Sequence, residues 1–577
     1  MSLTEKNEKK HVSFLVNLAL VFIAAVLFAA SFPNLLFEKG LPLLAWIAYV
    51  PVFILIRRIG FGASFFWGAL YGYTAYGLFN YWLSVFHPLA GLIVGSIYLV
   101  YLALLFPLLN LASRIFPRRG YLLQFLLWMA FEYLRTLGFL GYSYGITGYS
   151  QWHWLPVIQI AEITGVWGVS ALVVFPSVWL AAALYESKTN QNKPQRTQSS
   201  QRKIIINFAI INSSLNKIKL FFRKEWVSAL VWFVLLVSSL VYGFISPIDY
   251  SGERKAKLAL IQHNTDPWQP SKAATVALAF EEYRKDFTIL RRLSEEALMA
   301  HPDTDLVVWS ETAFVPRIYW HTNYRDDPES WELVKELLAY LSSKDVPFVI
   351  GNDDARRDPD INPKGDNRVD YNAVMLYERG ELKTQYRKLH LVPFTEHFPY
   401  EKQLPLIHRA LINADTHFWE KGKEAVVFNS NGIKFSTPIC FEDTFGYLSR
   451  NFVRNGAELI VNLSNDAWSK SLPAQNQHLS MAVFRAVENR RSMVRSTASG
   501  QTCGIDPNGK ILALAEPFSE AWLTVDVPII NPGTIYTKYG DYLGIFFSIA
   551  AFIVLISGLI SYIIHLYGNS KEDTYSR

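Results

Sequence analysis

The chain has 577 residues, 51% of them hydrophobic, a formal net charge of +6 and two cysteines. Its charge is segregated into blocks, which excludes an ordinary soluble multidomain protein of this length. The basic residues flank apolar runs, as topology determinants and membrane-surface contacts do, so membrane lipids rather than nucleic acid are the expected partner.

In chain order, apolar runs lie near 13–31, 40–57, 63–83, 88–111, 121–138, 160–185, 226–246 and 543–566. Each approaches or exceeds the ~20 residues that a helix needs to cross a bilayer. They predict a polytopic α-helical membrane domain over 1–246 and a C-terminal transmembrane helix at 543–566, about eight spans in all. Lys6, Lys9 and Lys10 before the first run resemble a signal-peptide flank. No small-x-small site with a polar mature region follows, so the run is read as a retained span.

Alternate loops are basic: Arg57 and Arg58, then Arg114, Arg118 and Arg119, then a loop at 186–225. The positive-inside rule makes these loops and the N-terminus cytoplasmic. Seven crossings then put ~247–540 outside, and the last run returns the tail at 567–577 to the cytoplasm. Within the basic loop, 188–203 has a disordered composition, and 204–211 is too short to span and suits the membrane surface or a local helix.

Residues 255–530 predict an exported α/β domain. Short β-branched runs at 257–262, 305–309, 347–350, 371–376, 425–428 and 458–463 alternate with helical periodicity at 275–300, 328–343 and 475–491. Glu311 follows one apolar run, Lys388 sits in QYRKLHLVPF, and Cys440 ends FSTPIC. Taken singly, a strand-end Glu or Lys is ordinarily solvated, and a lone Cys is ordinarily a small buried hydrophobe. Together the three are chemically coherent. A carboxylate takes the thiol proton, and an ammonium stabilises the thiolate and then an oxyanion. His263, His390, His397 and His478 lack a metal-ligand spacing, and there is neither a GxSxG elbow nor a Gly-rich phosphate loop. No metal and no cofactor are expected.

The order Glu311, Lys388, Cys440 occurs with WSET at 309–312, KLHLVPFTEHFP at 388–399, ICFED at 439–443, SNDAW at 464–468 and RSTASG at 495–500. This text resembles the nitrilase (carbon–nitrogen hydrolase) superfamily. Set among about eight spans, with WMAFEYLR around Glu132 and Arg135, GYSQ at 148–151 and TIYTKYGDYLG before the last span, it is similar to the apolipoprotein N-acyltransferases. The resemblance implies a nitrilase-like αββα sandwich for the exported domain. It makes Glu311 the general base, Lys388 the oxyanion-stabilising lysine and Cys440 the nucleophile. Glu396 is implied to assist Lys388 or steer the acyl carbonyl, and Phe441 and Glu442 follow the nucleophile. The family usually has Tyr at the place of Phe441, leaving that residue's backbone N–H as an oxyanion donor. Trp268 falls near a substrate-contacting tryptophan, although its spacing from Gln262 is shorter and QHN replaces QGN.

The implied reaction is ping-pong. A phospholipid acyl donor loads Cys440 as a thioester, and the α-amine of a diacylglyceryl-modified apolipoprotein takes the chain as an amide. The implied setting is a bacterial inner membrane, with the catalytic domain periplasmic and a monomer sufficient. The loop at 139–156 and the segment at 398–418 are candidate lipid-facing surfaces. Three alternatives stand beside this reading. One is an anchored amidase acting on a small soluble substrate, for which one span would suffice. Another is a ligand-binding transporter or receptor using Glu132, Arg135 and Glu162 as a charged pathway. The last is a structural Cys440–Cys503 disulfide, against the expectation of a free Cys440 and a dispensable Cys503.

Overall fold

A computed structural model describes residues 3–86, 88–189, 202–265, 276–362, 367–413 and 416–575. Five helical stretches among them are long and apolar enough to cross a membrane: His11–Ser31, Ala90–Ile115, Val166–Tyr185, Arg223–Ile245 and Tyr542–His565. The other three apolar runs fold as shorter helices. Proline at the first turn divides 40–57 into Pro42–Ala45 and Val50–Arg58. The remaining two are Phe61–Phe79 and Gly120–Leu134. All pack in one cluster that includes Tyr49, Phe53, Tyr71, Phe106 and Trp128.

Phe61–Phe79 and Pro88–Ile115 approach unusually closely, and two glycines make this possible. A Cβ on Gly68 would stand 2.3 Å from the Leu102 carbonyl oxygen, and one on Gly72 would stand 2.2 Å from that of Tyr98. Small residues at such crossings let backbones meet where no hydrophobic effect drives helices together. The 204–211 run is helical and continuous with the following span, within Arg202–Ile245, which bends at Glu225. Most of the 188–203 stretch lies outside the described residues.

The remaining α/β domain contains two six-stranded sheets. The first holds β1 (Lys255–Gln262), β2 (Leu306–Trp309), β3 (Phe348–Arg357), β4 (Arg368–Glu378), β5 (Glu381–Arg387) and β12 (Ala521–Pro528), in the order β12-β1-β2-β3-β4-β5. The second holds β6 (Val427–Ser430), β7 (Ile433–Ser436), β8 (Leu459–Ser464), β9 (Ser492–Thr497), β10 (Cys503–Ile505) and β11 (Ile511–Leu514), in the order β11-β10-β9-β8-β7-β6. Alternation along each strand assigns the faces. Leu258, Leu260, Val308 and Val374 meet Phe435, Leu459, Val461 and Val494 between the sheets. Ala259, Ile261, Val307 and Trp309 face outward onto helices Val276–Ala300 and Pro328–Ser342. The architecture is therefore αββα, with parallel β1–β2–β3 and β7–β8–β9 joined by helical crossovers.

Helix Leu472–Asn489, which covers the second sheet, is buried from Pro473 to Asn489. One face packs on that sheet and the other on the membrane helices, so a single apolar cluster runs from Met493 and Ile505 to Trp82 and Ile158. Polar contacts fix the junction. Trp82 Nε1 donates to Gln477 Oε1 at 3.0 Å, Gln477 Nε2 to the Pro33 carbonyl at 3.0 Å, and Val166 N to Glu488 Oε1 at 3.1 Å.

Candidate active site

Glu311 and Cys440 lie in loops after the parallel strands β2 and β7, as α/β sheets tend to place polar groups, and Lys388 follows the antiparallel edge strand β5. Glu311 lies two residues past β2, in a turn pressed against β3. A Cβ on Gly351 would stand 2.4 Å from the Ser310 carbonyl oxygen and 2.8 Å from Glu311 Cα, so only glycine lets this turn sit so close. The next residue, Thr312, has φ +46°. Asn372 Nδ2 donates to Glu311 Oε1 at 2.8 Å, and the backbone N–H of Asn465 donates to Oε2 at 2.9 Å. The carboxylate is thereby fixed by both sheets.

Lys388 directly follows β5 and is fully buried. Its Nζ lies 3.3 Å from Glu311 Oε1 and 2.8 Å from Glu396 Oε1. Burial alone would lower the lysine pKa, but the charges of Glu396 and Glu311 outweigh it and hold the value above the ordinary one. Lys388 is thus an ammonium at neutral pH. Glu396 accepts a second hydrogen bond from the Val392 N–H at 2.9 Å, and burial raises its pKa against the pull of Lys388.

Cys440 opens the 3-10 turn Cys440–Thr444 with φ +48°, a left-handed conformation that costs a non-glycine residue of order 1–3 kcal/mol. Such strain is retained where the surroundings over-determine it, and it turns a side chain away from its strand's regular direction. Burial pushes the thiol well above its ordinary pKa. The Glu311 charge adds to this, while Lys388 and the Ser464 hydroxyl oppose it. At rest the sulfur is therefore protonated, and a nucleophilic thiolate needs proton transfer to a base. Cys503, buried on β10, is a second free thiol, so the two cysteines are not bridged.

Glu442 braces the arrangement. It is fully buried and accepts from the N–H groups of Ile439, Leu389 and His390 at 2.8, 2.7 and 2.9 Å, and from the Tyr386 hydroxyl at 2.8 Å. One carboxylate thus joins the Cys440 turn to the segment after Lys388. Burial pushes its pKa up to about 7.

A second charged cluster lies beneath the turn. His478 Nε2 meets Asp443 Oδ1 at 2.7 Å, and its Nδ1 meets Asp466 Oδ1 at 3.0 Å. Arg495 pairs with Asp443 and reaches Asp466 Oδ2 at 3.2 Å. Sequence reasoning assigned none of Asn372, Asn465, Asp443, Asp466, His478 or Arg495 a role. The motifs SNDAW and RSTASG contained three of them, but His478 looked like one of several scattered histidines.

Comparison with known proteins agrees with this architecture. The carbon-nitrogen hydrolase family model matches residues 257–530, and the apolipoprotein N-acyltransferase N-terminal domain model matches 24–179. Apolipoprotein N-acyltransferase 1 of Treponema denticola is 43% identical over 98% of this chain and 99% of its own length. The protein of that name from Treponema pallidum is 45% identical over 93% and 95%, and the apolipoprotein N-acyltransferase of Geobacter metallireducens 32% identical over 90% and 91%. The chain belongs to the apolipoprotein N-acyltransferase family.

Phe441 packs its ring 5.0 Å from Phe445 and 5.8 Å from His390. Trp268 lies outside the described residues.

On the membrane side, an apolar groove of about 510 Å³ runs along helix Pro88–Ile115, lined by Leu92, Ile97, Val100, Tyr101 and Leu140, and ends at Phe394. Phe394 has φ +66° and belongs to the loop between Lys388 and Glu396. The two segments predicted to face lipid meet here, since the Phe139 ring is 5.3 Å from both Phe394 and Tyr400. Helix Pro405–Asn413 beyond it has no buried residue and exposes Leu406 and Ile412. The charges considered as a pathway have structural partners instead. Glu132 accepts from Thr147, Arg135 Nη1 donates to the carbonyls of Tyr142 and Tyr144 at 2.9 Å, and Glu162 pairs with Arg490.

Proposed function

We propose that this protein N-acylates the α-amine of the N-terminal diacylglyceryl-cysteine of apolipoproteins, the last step of lipoprotein maturation. The acyl chain comes from a membrane phospholipid and passes through a thioester on Cys440. The observation that carries this reading is the buried Glu311–Lys388–Glu396 ion-pair chain, with the Glu311 and Lys388 charges acting on the Cys440 thiol, together with an apolar groove lined in part by Phe394 of the Lys388–Glu396 loop.

Cys440 Sγ attacks the ester carbonyl of the phospholipid while its proton passes to Glu311. Lys388 Nζ stabilises the tetrahedral oxyanion, aided by the Phe441 backbone N–H. Collapse expels the lysophospholipid alcohol, which takes the proton back from Glu311. The acceptor amine then attacks the thioester, gives its proton to Glu311, and Cys440 leaves and is reprotonated as the amide forms. Glu396 keeps Lys388 charged and aimed, and Glu442 holds the nucleophile turn. A preorganised donor of this kind lowers the barrier by ~3–4 kcal/mol.

The groove along Pro88–Ile115 suits the acyl chain, and Phe394, which lines it, packs against Phe139, itself in contact with Tyr400. The basic loops support cytoplasmic termini and a catalytic domain on the periplasmic side of a bacterial inner membrane, with the spans over 1–246 and 543–566 and the catalytic domain over 255–530. A monomer contains every group the reaction uses.

The test is direct. Full-length protein in vesicles containing a phospholipid with an alkyne-tagged acyl chain is expected to acquire a hydroxylamine-labile label at Cys440. A synthetic peptide with an N-terminal diacylglyceryl-cysteine is expected to discharge it. Cys440→Ala abolishes the label. Absence of any acyl-enzyme with intact lipid present, or discharge only to water, would favour the anchored amidase and sink the proposal.

A further inference from the structure

Four ionised side chains lie within the protein immediately behind Cys440 and take no direct part in the chemistry above. Asp443, His478 and Arg495 are each at most 2% exposed, as is Asp466. Buried charges are retained only where geometry and pairing compensate their desolvation. Two carboxylates face one imidazolium and one guanidinium, so the formal charge of the cluster is zero. Burial would lower the His478 pKa, but Asp443 and Asp466 outweigh it and raise the value to about 9.

The connectivity is what singles the cluster out. Asp443 belongs to the turn Cys440–Thr444. Asp466 opens the turn Asp466–Ser469 and follows Asn465, whose N–H holds Glu311 Oε2 at 2.9 Å. Ser464 Oγ donates to Asp466 Oδ1 at 2.9 Å. His478, from the buried helix Leu472–Asn489, stands between the two carboxylates and uses one ring nitrogen for each. Arg495 on β9 spans the same pair from the sheet. Two further titratable groups face the cluster: the Tyr144 ring, from the membrane part, 6.2 Å from the imidazole, and the buried Cys503 thiol on β10, which interacts with Arg495, Asp443 and Asp466.

We infer that His478 and Arg495 are positioning residues: they clamp the nucleophile turn to the turn that orients Glu311, and they keep the local charge neutral so that the Cys440 thiolate can form. The inference deepens the reading of Cys440 as acyl carrier and rests on it for its effect on turnover. The charge behind Cys440 has a predictable sign. Asp466 already opposes ionisation of the thiol, together with Glu311, while Lys388 favours it. Replacing His478 or Arg495 by a neutral side chain leaves the cluster at −1 at neutral pH, whereas Asp443→Asn leaves it at +1.

The experiment measures iodoacetamide alkylation of the Cys440 peptide by mass spectrometry as a function of pH, in the full chain in vesicles. R495Q, which removes a cluster charge that persists across the pH range where the thiol titrates, is expected to raise the midpoint by about one unit or more and D443N to lower it, as nearby buried charges do. In acyl-transfer assays H478Q is expected to lower kcat at least about tenfold with KM within about twofold, the signature of a lost arrangement rather than lost substrate binding. Midpoints that stay put, or that move in the same direction in both variants, overturn the inference. So does an H478Q enzyme with normal kcat. Where R495Q or H478Q fails to fold, the near-isosteric D443N decides alone: a lowered midpoint supports the clamp, an unchanged or raised one refutes it. Failure of the underlying reading is separable, because it appears as wild-type protein that forms no acyl thioester whatever the alkylation midpoints do.

Discussion

Glu442→Gln probes the brace between the nucleophile turn and the lysine loop. The carboxylate meets only donors: three backbone N–H groups and the Tyr386 hydroxyl. An amide has one acceptor oxygen. If it keeps Leu389 and His390, its NH2 faces the Ile439 N–H, one residue before Cys440. A hydrogen bond to a charged group contributes ~1.5–3 kcal/mol, and a buried donor left unpaired costs ~1–3 kcal/mol more. A loss of about 3 kcal/mol falling on the step that needs the turn in place is roughly a hundredfold in rate. The assay is single-turnover acylation of Cys440 from tagged phospholipid at pH 8, where Glu442, with its pKa raised to about 7, is ionised. Below pH 7 the wild-type carboxyl is protonated and becomes a donor among donors. Wild-type acylation should therefore fall as pH drops through about 7, and E442Q should lack that limb. Acylation by E442Q within about twofold of wild type at pH 8 would refute the assignment of Glu442 as the brace.

Three further outcomes are expected. Since the His478 pKa is raised from 6.5 to about 9, its stabilisation is fully present below pH 6.5 and is lost as pH rises through about 9. The amount is about 3 kcal/mol, visible as a Tm that declines across that window in wild type and much less in H478Q. Gly351→Ala forces the Ser310–Thr312 backbone outward, with ~1–3 kcal/mol of destabilisation and an acylation rate lowered at least about tenfold; unchanged kinetics would show that Glu311 does not depend on that close contact. Gly72→Leu drives a side chain into the Tyr98 carbonyl and should lower the thermal midpoint in detergent, whereas Gly77→Ala, with nothing within 4 Å of its Cβ, should not.

Much of the fold was legible because its signals are local. The helices expected at 275–300 and 328–343 are Val276–Ala300 and Pro328–Ser342, and each of the six strands proposed from β-branched runs overlaps an observed one. Strands β9, β11 and β12 went unassigned. β12 carries AWLTVDVP, half-exposed over its first four residues, and becomes a strand by pairing along the whole of β1. That is a tertiary fact with little local trace. Helix Leu472–Asn489 was foreseen as 475–491, but its burial on all sides was not, because a sequence with Gln475, Asn476, Gln477 and His478 reads as having a wet face. Those polar residues instead meet Ser499 and Asp443 within the domain and Glu38 and Pro33 across the junction.

At the site the division is sharper. Composition and hydropathy alone determined a chain rich in apolar helical segments with an α/β domain beside them, since apolar length and periodicity are properties of contiguous residues. The chemistry of Glu311, Lys388 and Cys440 could be proposed from residue type and flanking text. Only the tertiary structure decided that Lys388 lies between two carboxylates, that Glu442 joins two loops 53 residues apart, and that a neutral four-charge cluster backs the thiol. Electrostatic interaction depends on distance through space and on burial, and neither can be read along the chain until the two sheets are stacked.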